Sequence, residues 1–544
     1  MMKKVFASAL GSSCIFQGAL TRKIQGKTLI QRLIDKAERF GVPRANVFIY
    51  TDLEEVALKV ERLGANSFLD TTQILDLEEA SAKFGKYCAK HTEKSDTILW
   101  LSPYAPLVSI NSLKRAEVLL NTGDTELVFC SVDEPVRNLA IAPLTIQEIL
   151  LSKPTEFVKV RSDAFVFIRG SAIKERRTED FKQTAIDVGK DVFEIASFQD
   201  WWVCEKLLAR KRIVFRVIGN ERVGMGHIYR ALSLAHEILD HEIIFITDDK
   251  NEDVIRQVAQ LEYRLEVASP TEIVSTMIDL ESDLVINDIL DTCPEDVTPL
   301  QTYGARVVNF EDLGEGAKLA DLTINELYDR PQFSEGNILW GKNYLFVRDE
   351  FEDAKPCSFH QEVKTVLLAF GGIDQHDLSY KILEAIEPVC DKYRIGIEIV
   401  TGPGYRGYSA LEKRVLSKPN VSLTHATGVI SKIMEEASVA ITSNGRTVYE
   451  MAHMNVPAIV VPQHKREKTH GFASRANGFI ALDPYKEGVT ERQVAQELLN
   501  IISDNKYRKE LFDRTVPHCF TENKQKIVDL VISQLANNGT ALDP

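Results

Sequence analysis

Val223-Gly224-Met225-Gly226-His227-Ile228-Tyr229-Arg230 stands between an apolar run at 213–217 and a segment in which Ala231, Leu232, Leu234, Ala235, Ile238 and Leu239 recur at helical spacing. The run reads as a buried strand and the segment as an amphipathic helix. Gly224 and Gly226 therefore occupy a strand-to-helix turn, the unit from which α/β layers are built. Glycine at such a turn permits positive φ and lets a ligand come close to the main chain. A helix start adds unpaired N–H groups and a partial positive charge suited to phosphate, and it favours the neutral form of an imidazole, the form that accepts a proton. His227 is accordingly a candidate catalytic base. A capping or packed histidine would sit in the same turn, and the turn alone leaves both readings open.

The 544 residues around this turn exceed one core and are expected to divide into about three to four compact units. With 44% hydrophobic and 26% charged residues, the composition is that of an ordinary globular protein rather than a disordered or fibrous one. A formal charge of −14 argues against general affinity for nucleic acid or anionic membranes, so an anionic ligand has to be held locally. The eight cysteines stand singly, with no CxxC pair, which points to a reducing compartment and away from a structural zinc site. Met1-Met2-Lys3-Lys4-Val5-Phe6 leads to Gly11, Ser12 and Ser13 rather than to a long apolar stretch, and no run reaches the length of a bilayer crossing. A cytoplasmic protein with neither nucleic-acid nor membrane partners is expected.

Over the first 210 residues, apolar runs at 5–9, 47–51, 97–101, 127–131 and 164–169 alternate with helical segments such as 29–37, the pattern of a parallel α/β sheet. Ligands bind beyond the C-terminal strand ends of such sheets, so the 10–18 loop and Thr51-Asp52 mark a candidate site. Ala9-Leu10-Gly11-Ser12-Ser13-Cys14 through Gly26-Lys27-Thr28-Leu29-Ile30, Tyr50-Thr51-Asp52 with Glu54-Glu55, Leu101-Ser102-Pro103-Tyr104-Ala105-Pro106-Leu107, and Glu194 to Asp200 followed by Trp201-Trp202 resemble the CMP-sialic acid synthetase family of cytidylyltransferases. The resemblance implies a Rossmann-like nucleotidyltransferase (GT-A-like) domain that takes CTP or CMP with Mg²⁺. The chain departs from that family at charged positions. Leu10 stands for an arginine, Cys14 and Ala19 for lysines, Ser102 for a glutamine and Val108 for an arginine, while the acidic Mg²⁺ pair falls on Glu194 and Ala196. Nucleotidyl transfer rests on cations and Mg²⁺ that neutralise phosphate charge. The domain is therefore expected to be silent or altered, with Mg²⁺ required only if it is active. Lys23 and Lys27 remain as phosphate contacts or as solvated lysines.

A charged helix end at 205–212 runs straight into the strand at Ile213, which places a boundary near residue 210. Strands follow at 242–247, 284–287, 306–310 and 322–324. Asp288, Asp291 and Glu311-Asp312 fall at strand ends, where a ligand contact, a cap or a turn residue each fits. The segment 341–351, with Arg348, closes the layer and 352–362 reads as a connection. A strand from Val363 then enters Gly371-Gly372, further strands lie at 397–401, 439–442 and 456–462, and Ser443-Asn444-Gly445-Arg446-Thr447-Val448-Tyr449-Glu450 opens a helix. That helix start can hold a diphosphate through N–H groups, with Arg446 as a bidentate partner and Glu450 as an acceptor for ribose hydroxyls.

Phe215-Arg216, Gly224 to Arg230, Glu311-Asp312-Leu313, the segment 341–351, Phe370-Gly371-Gly372-Ile373-Asp374 and Ser443 to Glu450 together resemble the UDP-2,4-diacetamido-2,4,6-trideoxy-altropyranose hydrolase family of pseudaminic acid synthesis, from Lys211 onward. The resemblance implies a GT-B-like pair of Rossmann-like domains facing each other across a cleft. Water would attack the anomeric carbon and displace UDP, with His227 as base or water-orienting group and no metal or cofactor. Gly224, Gly226, Arg230, Asp288 and Arg348 are the expected substrate contacts, and Gly371, Gly372, Ser443, Asn444, Gly445, Arg446, Thr447 and Glu450 the expected nucleotide contacts. Departures at Ile218, at Asn444-Gly445 and over 463–470 touch sugar recognition, and His464 and His470 either meet the ligand or are solvated. The expected organisation is a cytidylyltransferase-like domain at 1–210, a first GT-B-like domain at 211–355 and a nucleotide-binding domain at 356–544. The function expected is hydrolysis of a UDP-sugar in nonulosonic acid or related surface-glycan biosynthesis. A GT-B glycosyltransferase, a bifunctional enzyme with an active CMP-nonulosonate synthetase domain, and a non-catalytic binding scaffold are the alternatives. A homodimer is compatible with any of these.

Overall fold

The computed structural model describes residues 2–11, 16, 18–71, 77–122, 124–135, 157–174, 182–189, 192–220, 223–261 and 263–536. Contacts divide the chain into two compact units, with the break between Arg210 and Lys211. Among the described residues no helix is long and apolar enough to cross a membrane.

The first unit is built on a seven-stranded sheet in the order Asn66–Leu69, Val47–Thr51, Lys3–Ser8, Thr97–Leu101, Phe157–Arg169, Leu127–Pro135, Gln183–Asp187. Its first helix, Leu29–Arg39, starts where the Thr28 hydroxyl accepts the Gln31 N–H, and it buries Leu29, Ile30, Leu33, Ile34 and Ala37. The sheet is mixed, which corrects the all-parallel expectation. Phe157–Arg169 runs antiparallel to both Thr97–Leu101 and Leu127–Pro135. A continuous apolar run such as Ala164-Phe165-Val166-Phe167-Ile168 reports burial but carries no record of strand direction.

The second unit holds two all-parallel layers. One has the order Arg264–Val267, Glu242–Thr247, Arg212–Val217, Leu284–Asp288, Arg306–Phe310, Leu322–Asn325, Ile338–Trp340. The other has the order Val421–His425, Gly396–Thr401, Thr365–Ala369, Val439–Thr442, Ala458–Val460, Phe479–Ala481. In each, the first strand in sequence lies inside the sheet and the chain winds outward from it in both directions. The crevice where winding reverses is where open α/β sheets bind ligands. In the first layer that point lies between Arg212–Val217, which leads to the Gly224–His227 turn, and Leu284–Asp288, which ends in Asp288. In the second it lies between Thr365–Ala369, which leads to Gly371, and Val439–Thr442, which leads to Ser443. Each layer is a Rossmann-like parallel sheet, as expected for this part of the chain.

The two layers do not divide cleanly at residue 355. Leu327, Tyr328, Leu345, Val347 and Phe351 pack in the second layer's core with Leu367, Ala440 and Tyr449. In return the helix Asn523–Ala536 crosses back, and its Ile527, Val528 and Val531 pack with Ile213, Phe215 and Ile228 of the first layer. That helix's apolar side completes a core begun more than 300 residues earlier.

Candidate functional site

A cleft of about 620 Å³ is lined by both layers of the second unit. Gly224, Gly226 and His227 line it from the first layer, Gly371, Gly372, Ser443, Gly445, Arg446, Thr447 and Glu450 from the second, and Arg348 from the segment joining them. Gly224 has φ +83°, a conformation that the strand-to-helix turn needs and that a side chain would strain. At Gly372 the requirement is space, since a Cβ there would lie 3.1 Å from Met225.

His227 is the second residue of the helix Gly226–Glu237 and is 4% exposed. Its Nδ1 lies 2.6 Å from Asp288 Oδ1 and 3.3 Å from Arg230 Nη2. Arg230, one turn further along the helix, grips the same carboxylate from the other side, with Nε donating to Oδ2 at 2.7 Å and Nη2 donating to Oδ1. Burial alone would raise the Asp288 carboxyl, but the Arg230 guanidinium and His227 outweigh it and hold it at about 2. An ionised carboxylate only accepts hydrogen bonds, so the short contact assigns the Nδ1 proton to His227 and leaves Nε2 as the ring's acceptor. Arg230 Nη1 also donates to Glu326 Oε1 and, at 3.3 Å, to Glu311 Oε2. One guanidinium thus serves three carboxylates in a site from which its own side chain is wholly shielded.

Arg230 and Asp288, expected from the sequence to touch substrate, stand behind His227 and do not line the cleft. Their geometry is that of groups that orient the imidazole.

On the facing side, the turn after Val439–Thr442 delivers Arg446. Its Nη2 donates to the Phe346 carbonyl at 2.7 Å and its Nη1 donates to Glu326. Burial pulls this guanidinium below the usual arginine range, against the opposing pull of Glu326. Glu450 reaches the cleft, yet its Oε1 already accepts Arg348 Nε at 2.9 Å. Asn444 does not line the cleft. Its Nδ2 donates to the carbonyls of Glu467 at 2.7 Å and His470 at 3.1 Å, so it fastens the 463–470 loop. His464 and His470 of that loop both line the cleft, and His470, at 6% exposed, is no solvated surface residue.

Sequence reading missed Glu326 altogether and gave no preference to Glu311. Glu311 lines the cleft at φ +53°, unusual for a residue with a side chain. Its neighbour Asp312 turns away and accepts from Thr292 N–H at 3.0 Å and from the Thr292 hydroxyl at 2.6 Å, a turn role. The available signal for Glu326 was its place immediately after a buried strand, the same signal that singled out Asp288.

In the first unit the positions where the cytidylyltransferase family carries cations lie in apolar surroundings. Leu10 packs with Phe6, Phe48 and Tyr50, and Ala19 and Val108 are buried. Ser12, Ser13 and Cys14 lie outside the described residues. Glu194 Oε1 accepts from Ser162 Oγ and, at 3.1 Å, from Asp163 N, while the Ala196 position offers only its N–H, to Asp200. Lys27 pairs with Asp35 at 3.0 Å. Among the described residues, the acids close enough to share a metal ion are Glu237, Asp349 and Glu352 of the second unit. The Lys524 ammonium bridges to all three and supplies the balancing charge itself.

No protein-family profile matches the chain. An uncharacterized protein of Methanocaldococcus jannaschii is 28% identical over 292 residues, which is 50% of this chain and 60% of that protein, so the chain spans under two thirds of this relative's length. The spore coat polysaccharide biosynthesis protein SpsG of Bacillus subtilis is 26% identical over 47% of this chain and 79% of its own. The UDP-2,4-diacetamido-2,4,6-trideoxy-beta-L-altropyranose hydrolase of Campylobacter jejuni is 25% identical over 44% of this chain and 87% of its own. Among solved structures, MurG of Acinetobacter baumannii matches 59% of this chain and 99% of its own at TM-score 0.43 and 16% identity. A CMP:2-keto-3-deoxy-manno-octonic acid synthetase complexed with CTP matches 38% and 99% at TM-score 0.30 and 12% identity.

Proposed function

We propose that the second unit hydrolyses a UDP-sugar in nonulosonic acid or related surface-glycan biosynthesis, and that the first unit is a cytidylyltransferase-like domain without transferase activity. The observation that carries the reading is the pairing, in one cleft, of His227, whose Nδ1 is fixed by Asp288, with the Ser443–Glu450 turn. A water molecule attacks the anomeric carbon, the bond from that carbon to the UDP oxygen breaks, and UDP leaves with the electron pair. His227 Nε2 takes the water's proton, and Asp288 stabilises the imidazolium that forms. The nucleotide is held by the 443–447 backbone and Arg446, and the chemistry calls for no metal. The names of the Campylobacter and Bacillus relatives support the substrate class and the biosynthetic setting.

The test is a screen of UDP-, GDP- and CMP-sugars for nucleotide release by the full chain. UDP release without any acceptor is expected. Release only when a sugar or lipid acceptor is added would replace hydrolysis with glycosyl transfer, and no release from any of them would overturn both. In the same screen, CTP with a nonulosonic acid and Mg²⁺ is expected to give no CMP-sugar, because Leu10, Ala19 and Val108 leave the triphosphate charge unopposed. Ready formation of the CMP-sugar would show that cations reach that site from other positions.

A further inference from the structure

Glu326 joins the two halves of the cleft through a single atom. It follows the strand Leu322–Asn325, is 1% exposed, and is aimed away from solvent. Its Oε1 accepts Nη1 of Arg230, the guanidinium that grips Asp288, and also Nη1 of Arg446, the guanidinium of the nucleotide-side turn. Its Oε2 is buried and has no hydrogen-bond partner. A buried carboxylate oxygen left unpaired is unfavourable, and the carboxylate is held in place through Oε1 by both arginines. A continuous line of contacts results: Arg446, Glu326, Arg230, Asp288, His227.

We propose that Glu326 is a positioning residue that couples occupancy of the nucleotide turn in one layer to the alignment of His227 in the other. The inference rests on the reading of the second unit as a UDP-sugar enzyme. Arg446 already makes ordered contacts on both of its terminal nitrogens, to Glu326 and to the Phe346 carbonyl, and its side chain is 16% exposed on the cleft. A diphosphate arriving at the turn meets a guanidinium fixed in place from behind. The force it exerts on Arg446 passes through Glu326 to Arg230 and so to the pair that orients the imidazole. Positioning errors of about 1 Å cost on the order of 100-fold in rate, which makes such a tie consequential without any contact to the substrate.

The experiment is amide hydrogen exchange on the full chain with and without UDP, paired with calorimetry and steady-state kinetics, for the wild type, Glu326→Gln, Arg446→Lys and the double variant. In the wild type, UDP is expected to slow exchange at 443–447 and also at 226–230 and 324–328 in the other layer. In Glu326→Gln, whose amide oxygen still accepts but carries no charge, the protection at 443–447 is expected to remain, the distant protection to fall away, and kcat to drop about 10-fold or more, with UDP affinity within about 5-fold; in Arg446→Lys, which also alters a nucleotide contact, UDP affinity is expected to weaken as well, and at saturating UDP the distant protection to be lost. The double variant is expected to cost little more than the worse single, because both remove one link. Additive losses, or distant protection that survives the substitutions, would overturn the coupling. If Glu326→Gln does not fold, Arg446→Lys carries the test alone: retained distant protection with retained kcat overturns the proposal. Failure of the wild type to bind UDP by calorimetry would instead overturn the UDP-sugar reading itself, whereas binding with protection confined to 443–447 would overturn only the coupling.

Discussion

His227→Asn is expected to cut UDP release from the substrate sugar by about 10²–10⁴-fold, the usual worth of a positioned acid or base, and to leave UDP affinity within about three-fold. Asparagine can still donate to Asp288 from its amide, so the hydrogen bond that Nδ1 makes at 2.6 Å is partly replaced. Its amide has no basic nitrogen to take the water's proton. The split between turnover and binding is the informative part, because His227 lies in the first layer while the nucleotide turn lies in the second. Turnover equal to wild type would remove His227 from the chemistry. A parallel loss of UDP affinity, measured by calorimetry, would place it among the nucleotide contacts instead.

Arg230→Met is expected to lose about 3–5 kcal/mol of stability at pH 7, read from urea unfolding, and to abolish turnover. Removing one partner from a buried ionic group leaves the other charges uncompensated. Here three carboxylates, Asp288, Glu311 and Glu326, would lose the guanidinium they share. The loss should depend on pH in a definite direction. In the wild type Asp288 is held at about 2, below its unfolded value, so its contribution is present throughout the neutral range and disappears only as pH falls below about 4. Without Arg230, His227 alone opposes burial, and that carboxyl is expected to rise above its unfolded value. Such a group favours the folded state as pH falls. The stability gap between variant and wild type is therefore expected to narrow from pH 7 toward about pH 5. A gap that stays constant over that range would mean that lost packing, and not unbalanced charge, is the cause.

The interior strands were legible from the sequence because their two faces are both covered. The strands at 47–51, 97–101, 242–247, 306–310 and 439–442 lie where their apolar runs place them. Within the three large sheets, the strands that escaped notice are Asn66–Leu69, Gln183–Asp187, Arg264–Val267, Ile338–Trp340, Val421–His425 and Phe479–Ala481, and these are the two edges of each sheet. An edge strand is short and half solvated, so it leaves no continuous apolar run to read. The same division applies to the cleft. Residues set by local turn geometry, such as Gly224, Gly371 and Ser443, could be placed from neighbours within a few positions. Glu326 could not, since its partners Arg230 and Arg446 lie 96 and 120 residues away and only the fold brings them together. Arg230 was legible as part of the site, but its grip on Asp288 was not, since that partner lies 58 residues away and only the fold brings the two together.

The returning helix Asn523–Ala536 also sets an order of events during synthesis. Domains usually fold as they leave the ribosome, from the N-terminal end forward. The histidine-bearing layer cannot follow that schedule to completion, since Ile527, Val528 and Val531 fill part of its core and are among the last described residues to be made. Until they emerge, the apolar surface around Ile213, Phe215 and Ile228 stays partly uncovered. The nascent chain therefore carries its Ser443–Glu450 turn in a layer whose strands are already complete, while the layer that holds His227 is still unfinished.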